Sequence, residues 1–192
     1  MNYKQIKDED FLRGKVPMTK SEVRTLSIIK MQIEENDIIW DIGAGTGSIS
    51  VEAAVNFPNS KIYAIERNSD GIHLIKENIN KFNVKNIIPV QGLAPEVFEN
   101  LEVPNKVIIG GSGGNLEDIL EYLWSLKSVK NIVLNAVTIN TAYAGINYFN
   151  KKNADFESIQ INISNIEIIK EYQMLRGQNP IFIISAKKQE ER

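Results

Sequence analysis

Asp41-Ile42-Gly43-Ala44-Gly45-Thr46-Gly47-Ser48 is the stretch that decides the fold of this chain. The apolar Ile38-Ile39-Trp40 leads into it and a helical pattern over 47–55 leads out of it. Glycine takes positive φ without penalty and lets backbone NH groups approach a ligand with no Cβ in the way. A strand that ends in such a loop and hands over to a helix is the first half of a strand-helix-strand unit. Simple tight turns are also rich in glycine, so the weight of the loop comes from its surroundings.

Those surroundings repeat the unit. Short, nearly uninterrupted apolar runs over 38–42, 61–66, 86–90, 106–110 and 131–135 read as strands buried on both faces. Helical patterns over 47–55, 69–82, 116–126 and 141–153 alternate with them, which predicts a parallel sheet covered by helices. In 69–82, Ser69 is a capping type and Ile72, Ile75 and Ile79 recur on one face. Segments 157–164 and 180–187 read as longer strands pairing antiparallel at one edge. Upstream, 21–33 reads as an amphipathic helix with Val23, Leu26, Ile29 and Ile33 on its apolar face and Arg24 and Lys30 off it. The polar tail 189–192 reads as disordered.

Composition narrows the class. The chain has 192 residues, enough for one domain with a continuous core. Its 43% hydrophobic and 24% charged content is ordinary for a globular protein, and no apolar run approaches the roughly 20 residues of a membrane span. The polar, mixed-charge start lacks a secretory core, and the absence of cysteine removes disulfides and thiolate metal sites. A soluble cytoplasmic protein is expected, without a membrane partner or a bound metal. A formal charge of −2 argues against a surface built to grip nucleic acid.

Two acids frame the glycine loop. Asp41 stands two positions before Gly43, where it can orient the loop or accept from an amino group, and Glu66 ends the second strand. A carboxylate at that strand end faces a ribose and can accept from both hydroxyls. Strand, loop, helix, strand and terminal acid together indicate an adenosine ligand. The dinucleotide fingerprint spaces its glycines G-x-G-x-x-G/A. Here the third glycine, Gly47, comes one residue early and Ser48 holds the dinucleotide position. S-adenosylmethionine therefore fits better than a nicotinamide cofactor, which stays as an alternative reading.

Further motifs carry a family resemblance: Pro17-Met18-Thr19-Lys20-Ser21-Glu22-Val23-Arg24, the glycine loop, Ala64-Ile65-Glu66-Arg67-Asn68, Gly92-Leu93-Ala94-Pro95-Glu96, Gly110-Gly111-Ser112-Gly113-Gly114 and Asn135-Ala136-Val137-Thr138. With them the chain closely resembles, over nearly its whole length, the decarboxylating cobalt-precorrin C-15 methyltransferases of cobalamin biosynthesis. The resemblance implies a Rossmann-like class I methyltransferase fold, a mostly parallel seven-stranded sheet with an antiparallel edge. It also implies a single domain over 1–192, with 1–36 as a helical extension over the site. The implied reaction is methylation of C-15 of a precorrin and decarboxylation of its C-12 acetate, in a homo-oligomer, commonly a tetramer. An RNA-binding methyltransferase-like module is the rival from another class.

Carried over by position, the cofactor residues are Thr19, Gly43, Ala44, Gly45, Thr46, Gly47, Glu66 and Ala94, with Glu66 on the ribose and the segment of Leu93 and Ala94 against the adenine. Asp41 joins them from the reading of the loop. By the same resemblance two positions depart from the family pattern: Leu93 stands where an aspartate is usual and Asn140 where a glutamate is common. On the substrate side, Gly111, Ser112, Gly113 and Gly114 offer NH donors at a helix start, and Asn135 ends the fifth strand at the same sheet edge. Arg13, Lys15, Lys20 and Arg24 crowd the approach, where a polycarboxylate needs cations; Lys20 and Arg24 are the favoured pair, with Arg67 and Arg176 as weaker candidates. His73, Trp40 and Trp124 read as structural. No nucleophile or acid-base pair stands out, so no catalytic residue is nominated; positioning behind a sulfonium methyl supplies much of the rate of such a reaction.

Overall fold

β1 (Ile38–Ile42) lies in the interior of a seven-stranded sheet, flanked on both sides by parallel strands, in a computed structural model that describes residues 3–188. Its parallel partners are β2 (Lys61–Glu66) and β4 (Lys106–Ile109), and the order across the sheet is β3-β2-β1-β4-β5-β9-β6. β3 (Ile87–Gln91) and β5 (Asn131–Ala136) extend the parallel part. β6 (Asp155–Ile161) and β9 (Ile181–Lys187) close the edge antiparallel, with Asp155 opposite Lys187. The expected mostly parallel sheet with an antiparallel edge is present. Among the described residues no helix is long and apolar enough to cross a membrane.

Helices cover both faces. α1 (Ser21–Met31), α2 (Ser48–Asn56) and α3 (Ser69–Phe82) pack with Ile39, Ile62, Ile108 and Val133 into one core. α4 (Leu116–Ser125) and α5 (Ile139–Lys151) pack with Trp40, Ile65, Ile109 and Leu134 into the other. Adjacent residues of β1 and β4 therefore feed opposite cores, which is why these strands read as unbroken apolar runs. Strand order reverses between β1 and β4, and in open α/β sheets the crevice at such a point, outside the strands' carboxyl ends, receives the ligand.

Four sequence expectations are corrected. The buried face of α1 carries Val23, Arg24, Ser27, Ile28 and Met31, while Ile29 is 56% exposed. Val23, Leu26 and Ile33 meet the core as expected, but the buried face is shifted to include Arg24, which has a buried carboxylate partner, Glu52 on α2, that a periodicity count cannot see. α3 is capped by Asn68, whose side chain accepts from the Asp70 NH, and Ser69 is its first residue. α5 starts at Ile139 because the Thr138 hydroxyl accepts from the Thr141 NH. Between β6 and β9 a separate two-stranded antiparallel sheet projects, β7 (Ser164–Ile169) with β8 (Tyr172–Gly177), and the sequence reading missed it. The tail 189–192 lies outside the described residues.

Candidate functional site

Every glycine of the 41–48 loop holds positive φ: Gly43 +70°, Gly45 +58° and Gly47 +74°. A side chain is strained there. The loop is tied to β2 by the Gly43 and Ala44 NH groups, which both donate to the Ile65 carbonyl at 2.9 and 3.0 Å. A Cβ on Gly43 would stand 2.4 Å from the Gly111 carbonyl oxygen, so the two glycine loops touch backbone to backbone. Glu66, at the end of β2, accepts from the Gly45 NH through Oε2 and from the Asn68 NH through Oε1, both at 2.9 Å. Gly71 leaves the room it needs, since a Cβ there would lie 2.6 Å from Glu66 Cγ. Each carboxylate oxygen carries a second lone pair, so Glu66 shapes the loop and can still accept from a ligand.

Asp41 and Thr46 stand behind this surface. Asp41 is buried; Oδ2 accepts from Ser50 Oγ at 2.6 Å and Oδ1 has no partner among the described residues. Burial pushes its carboxyl up to about 6 against the lowering effect of the Ser50 bond. Thr46 Oγ1 is a second buried, unpartnered atom of the same loop.

The chain before α1 forms the opposite wall, held by a buried charge cluster. Arg24 is fully buried and donates to Glu52 Oε2 (2.7 Å), Asp8 Oδ1 (3.1 Å), the Thr19 carbonyl (2.8 Å) and the Ile6 carbonyl, over the Phe11 ring. Glu52 also accepts from the Tyr3 hydroxyl, the Ile6 NH and Thr25 Oγ1. Asn78 of α3 pins Leu12 through both its amide groups. Residues 15–19 are thereby laid against the glycine loop, and a Cβ on Gly45 would meet the Pro17 carbonyl at 2.9 Å.

Between these walls, at the carboxyl edge of the sheet, lies a cavity of about 490 Å³. Of the residues singled out in the sequence, it gathers Thr19, Gly43, Ala44, Gly45, Glu66, Leu93, Ala94, Gly111, Ser112, Gly113 and Asn135 on its lining. Asp41, Thr46, Gly47 and Gly114 are not on the lining. The favoured cations need correction. Arg24 spends its guanidinium inside the protein, and Lys20 pairs with Asp8 at 3.7 Å on a separate shallow depression that Arg13 also lines. Arg176 pairs with Glu167 out on the β7–β8 sheet. Lys15 and Arg67 are the cations on the cavity, Arg67 lying beside Gly113 and Leu93. Met18 and Val137, which stand inside quoted motifs but were given no role, also line it, as do Val16, Asp70 and Ile181, whose contribution comes from tertiary packing that no local motif encodes. Trp40 is core, Trp124 packs partly buried against it, and His73 is a surface residue near Glu77.

A glycine loop and terminal acid of this kind occur in many methyltransferases, so the family is decided by the chain as a whole. Residues 10–188 match the model of the precorrin methyltransferase domain. The chain belongs to that family. This precorrin methyltransferase chain is 38% identical over 184 residues to a probable cobalt-precorrin-6B C(15)-methyltransferase (decarboxylating) of Methanococcus vannielii, covering 95% of the chain and 99% of that protein. It is 32% identical over 188 residues to the cobalt-precorrin-6B C(15)-methyltransferase (decarboxylating) of Salmonella typhimurium, covering 96% and 97%. The crystal structure of precorrin-6y C5,15-methyltransferase from Geobacter metallireducens superposes with a TM-score of 0.89 at 36% identity, over 96% of this chain and 97% of that one.

Proposed function

We propose that this precorrin methyltransferase uses S-adenosylmethionine to methylate C-15 of a cobalt-precorrin of the 6B type, with loss of the C-12 acetate carboxyl as CO₂. The relatives that the chain matches end to end support that reading. The observation that carries it in the fold is the cavity shared by the two glycine loops, in which Gly43 and Gly111 make one continuous floor at the switch point of the sheet. The residues fit the cofactor: the positive-φ loop leaves backbone room that a Cβ on Gly43 or Gly45 would fill, and Glu66, on the lining, offers lone pairs at ribose position. Gly43, Ala44, Gly45, Glu66, Leu93, Ala94 and Thr19 would hold S-adenosylmethionine, which supplies an electrophilic methyl group. Leu93 gives the adenine an apolar contact, and the nearby Ala94 carbonyl is held by the Asn115 amide.

On the substrate side, Gly111, Ser112 and Gly113 face the cavity, and Lys15 and Arg67 provide the positive charge. Val137, Ile139 and Tyr143, all strongly exposed around the start of α5, form an apolar apron on which a flat macrocycle can lie. Residues 1–192 act as one domain, with 1–36 covering the site, in a cytoplasmic homo-oligomer of four chains that needs no nucleic acid. The test is mass spectrometry after incubation with precorrin-6B-type substrate, labelled S-adenosylmethionine and isotopic carbon in the acetate carboxylate. One labelled methyl gained and one labelled CO₂ released is the expected result. Methylation with the carboxylate retained would overturn the decarboxylating half.

A further inference from the structure

We propose that Asn135 is the subsite that receives the departing acetate carboxylate, an inference that rests on the decarboxylating reaction proposed above. Asn135 is the penultimate residue of β5, near the carboxyl edge, is 8% exposed and lines the cavity. Its Oδ1 lies 3.0 Å from Ser27 Oγ on α1, and its Nδ2 is buried without a partner among the described residues. Ser27 has one hydroxyl proton and two acceptors within reach, Asn135 Oδ1 and the Val23 carbonyl at 2.7 Å. Given to Oδ1, that proton fixes the amide with its NH₂ unspent. Given to Val23, it leaves the amide free to turn its NH₂ to Ser27 and its oxygen outward. A carboxylate ligand selects the first arrangement, since only there does it meet a donor.

The neutrality of this donor suits the chemistry. Loss of CO₂ is slowed by any cation that stabilises the carboxylate, and favoured where the anion is held in place but poorly solvated. Of the four charged lining residues, Glu66 and Arg67 stand at the end of β2, three strand positions from β5, or about 14 Å at ordinary strand spacing, Asp70 lies in the first turn of α3 that follows β2, and Lys15 comes from the segment before α1. The amide of Asn135 has apolar company instead, with Ile181 and Val137 on the lining and Val23 one turn from Ser27. With the ring on the apron of Val137, Ile139 and Tyr143, an acetate arm can reach the amide. The bond between the acetate methylene and its carboxylate carbon then breaks and CO₂ leaves. The bonding electron pair passes into the conjugated macrocycle, and a solvent proton completes the methyl group left on the ring.

The experiment follows labelled CO₂ release in Asn135→Ala, Asn135→Asp and Ser27→Ala, with cofactor affinity by calorimetry and melting temperature as controls. Asn135→Ala should lower kcat for CO₂ release about ten- to a hundredfold, the loss of one hydrogen bond to a charged group, with cofactor Kd within about twofold. Ser27→Ala should fall between it and the parent. Asn135→Asp should be the slowest near neutral pH and should recover as the pH is lowered, when its protonated form becomes a donor again. A merely structural role would give no such pH profile. An alanine variant that releases CO₂ at the parental rate, or an aspartate variant whose rate does not rise on acidification, overturns the assignment. A parent enzyme that methylates without releasing label overturns the proposed reaction itself, and this subsite with it.

Discussion

At the scale of single residues, the acids of the glycine loop carry opposite burdens. Asp41 is buried with its pKa raised to about 6, so the folded chain holds that proton more tightly than the unfolded one. Its contribution to stability is full below about pH 4 and is lost as the pH rises through about 6. Asp41→Asn should therefore be more stable than the parent by roughly 2 to 3 kcal/mol near pH 8 and equal to it near pH 4, as read from urea melts. A parent as stable as the variant at pH 8 would refute the account. Glu66 is half-buried and already serves two backbone NH groups, so Glu66→Ala should weaken binding of S-adenosylmethionine by about 1 to 3 kcal/mol. Calorimetry giving an unchanged Kd would place the ribose elsewhere. The glycines and Glu66 were legible in the sequence because backbone freedom and a strand-end acid leave local marks. Gly71 was not, because its reason is the Glu66 side chain, brought against it by the β2–α3 turn.

At the scale of elements, the wall before α1 depends on one buried ion pair. Removing one partner of such a pair leaves an uncompensated charge and typically costs about 3 to 5 kcal/mol. Arg24→Met should lower stability by about that amount, expose residues 3–20 to limited proteolysis and weaken the cofactor that residues 15–19 help enclose. Adding Glu52→Leu should recover part of the stability while leaving the segment loose, since Tyr3, Ile6 and Thr25 also lean on Glu52. Equal protease sensitivity in parent and single variant would show that Arg24 does not hold the wall. The sequence located α1 to within two residues of its end and placed Val23, Leu26 and Ile33 on the core correctly, but it turned Ile29 in and Arg24 out. Hydrophobic periodicity treats arginine as solvent-facing, and only the facing helix reveals that Arg24 has somewhere better to go.

At the scale of the whole molecule, β7 and β8 stand apart from the main sheet. Cross-strand register puts Ile166, Ile168 and Leu175 on one face, and they are 66%, 76% and 74% exposed. A lone two-stranded sheet is marginal in water, and an exposed apolar one invites pairing. We place the contact of the proposed homo-oligomer on this face. Ile168→Lys with Leu175→Lys should lower the mass measured by light scattering toward that of one chain, whereas an unchanged mass would move the contact elsewhere. The hairpin escaped the sequence reading because its alternation serves no core within this chain, while β1 to β5 announce themselves by burial on both faces. The meeting of Gly43 with Gly111 has a further consequence, for anyone who wishes to alter which tetrapyrrole is accepted. The floor under the methyl donor and the floor under the acceptor are one piece, and Gly43 is its fixed point: a Cβ there would be driven into the Gly111 backbone, whereas a Cβ on Gly111 would meet only Gly43 Cα, at 3.9 Å. A mutant library that holds positions 43 and 113 constant and varies 111, 112 and 137 would explore acceptor preference while leaving the donor's seat intact.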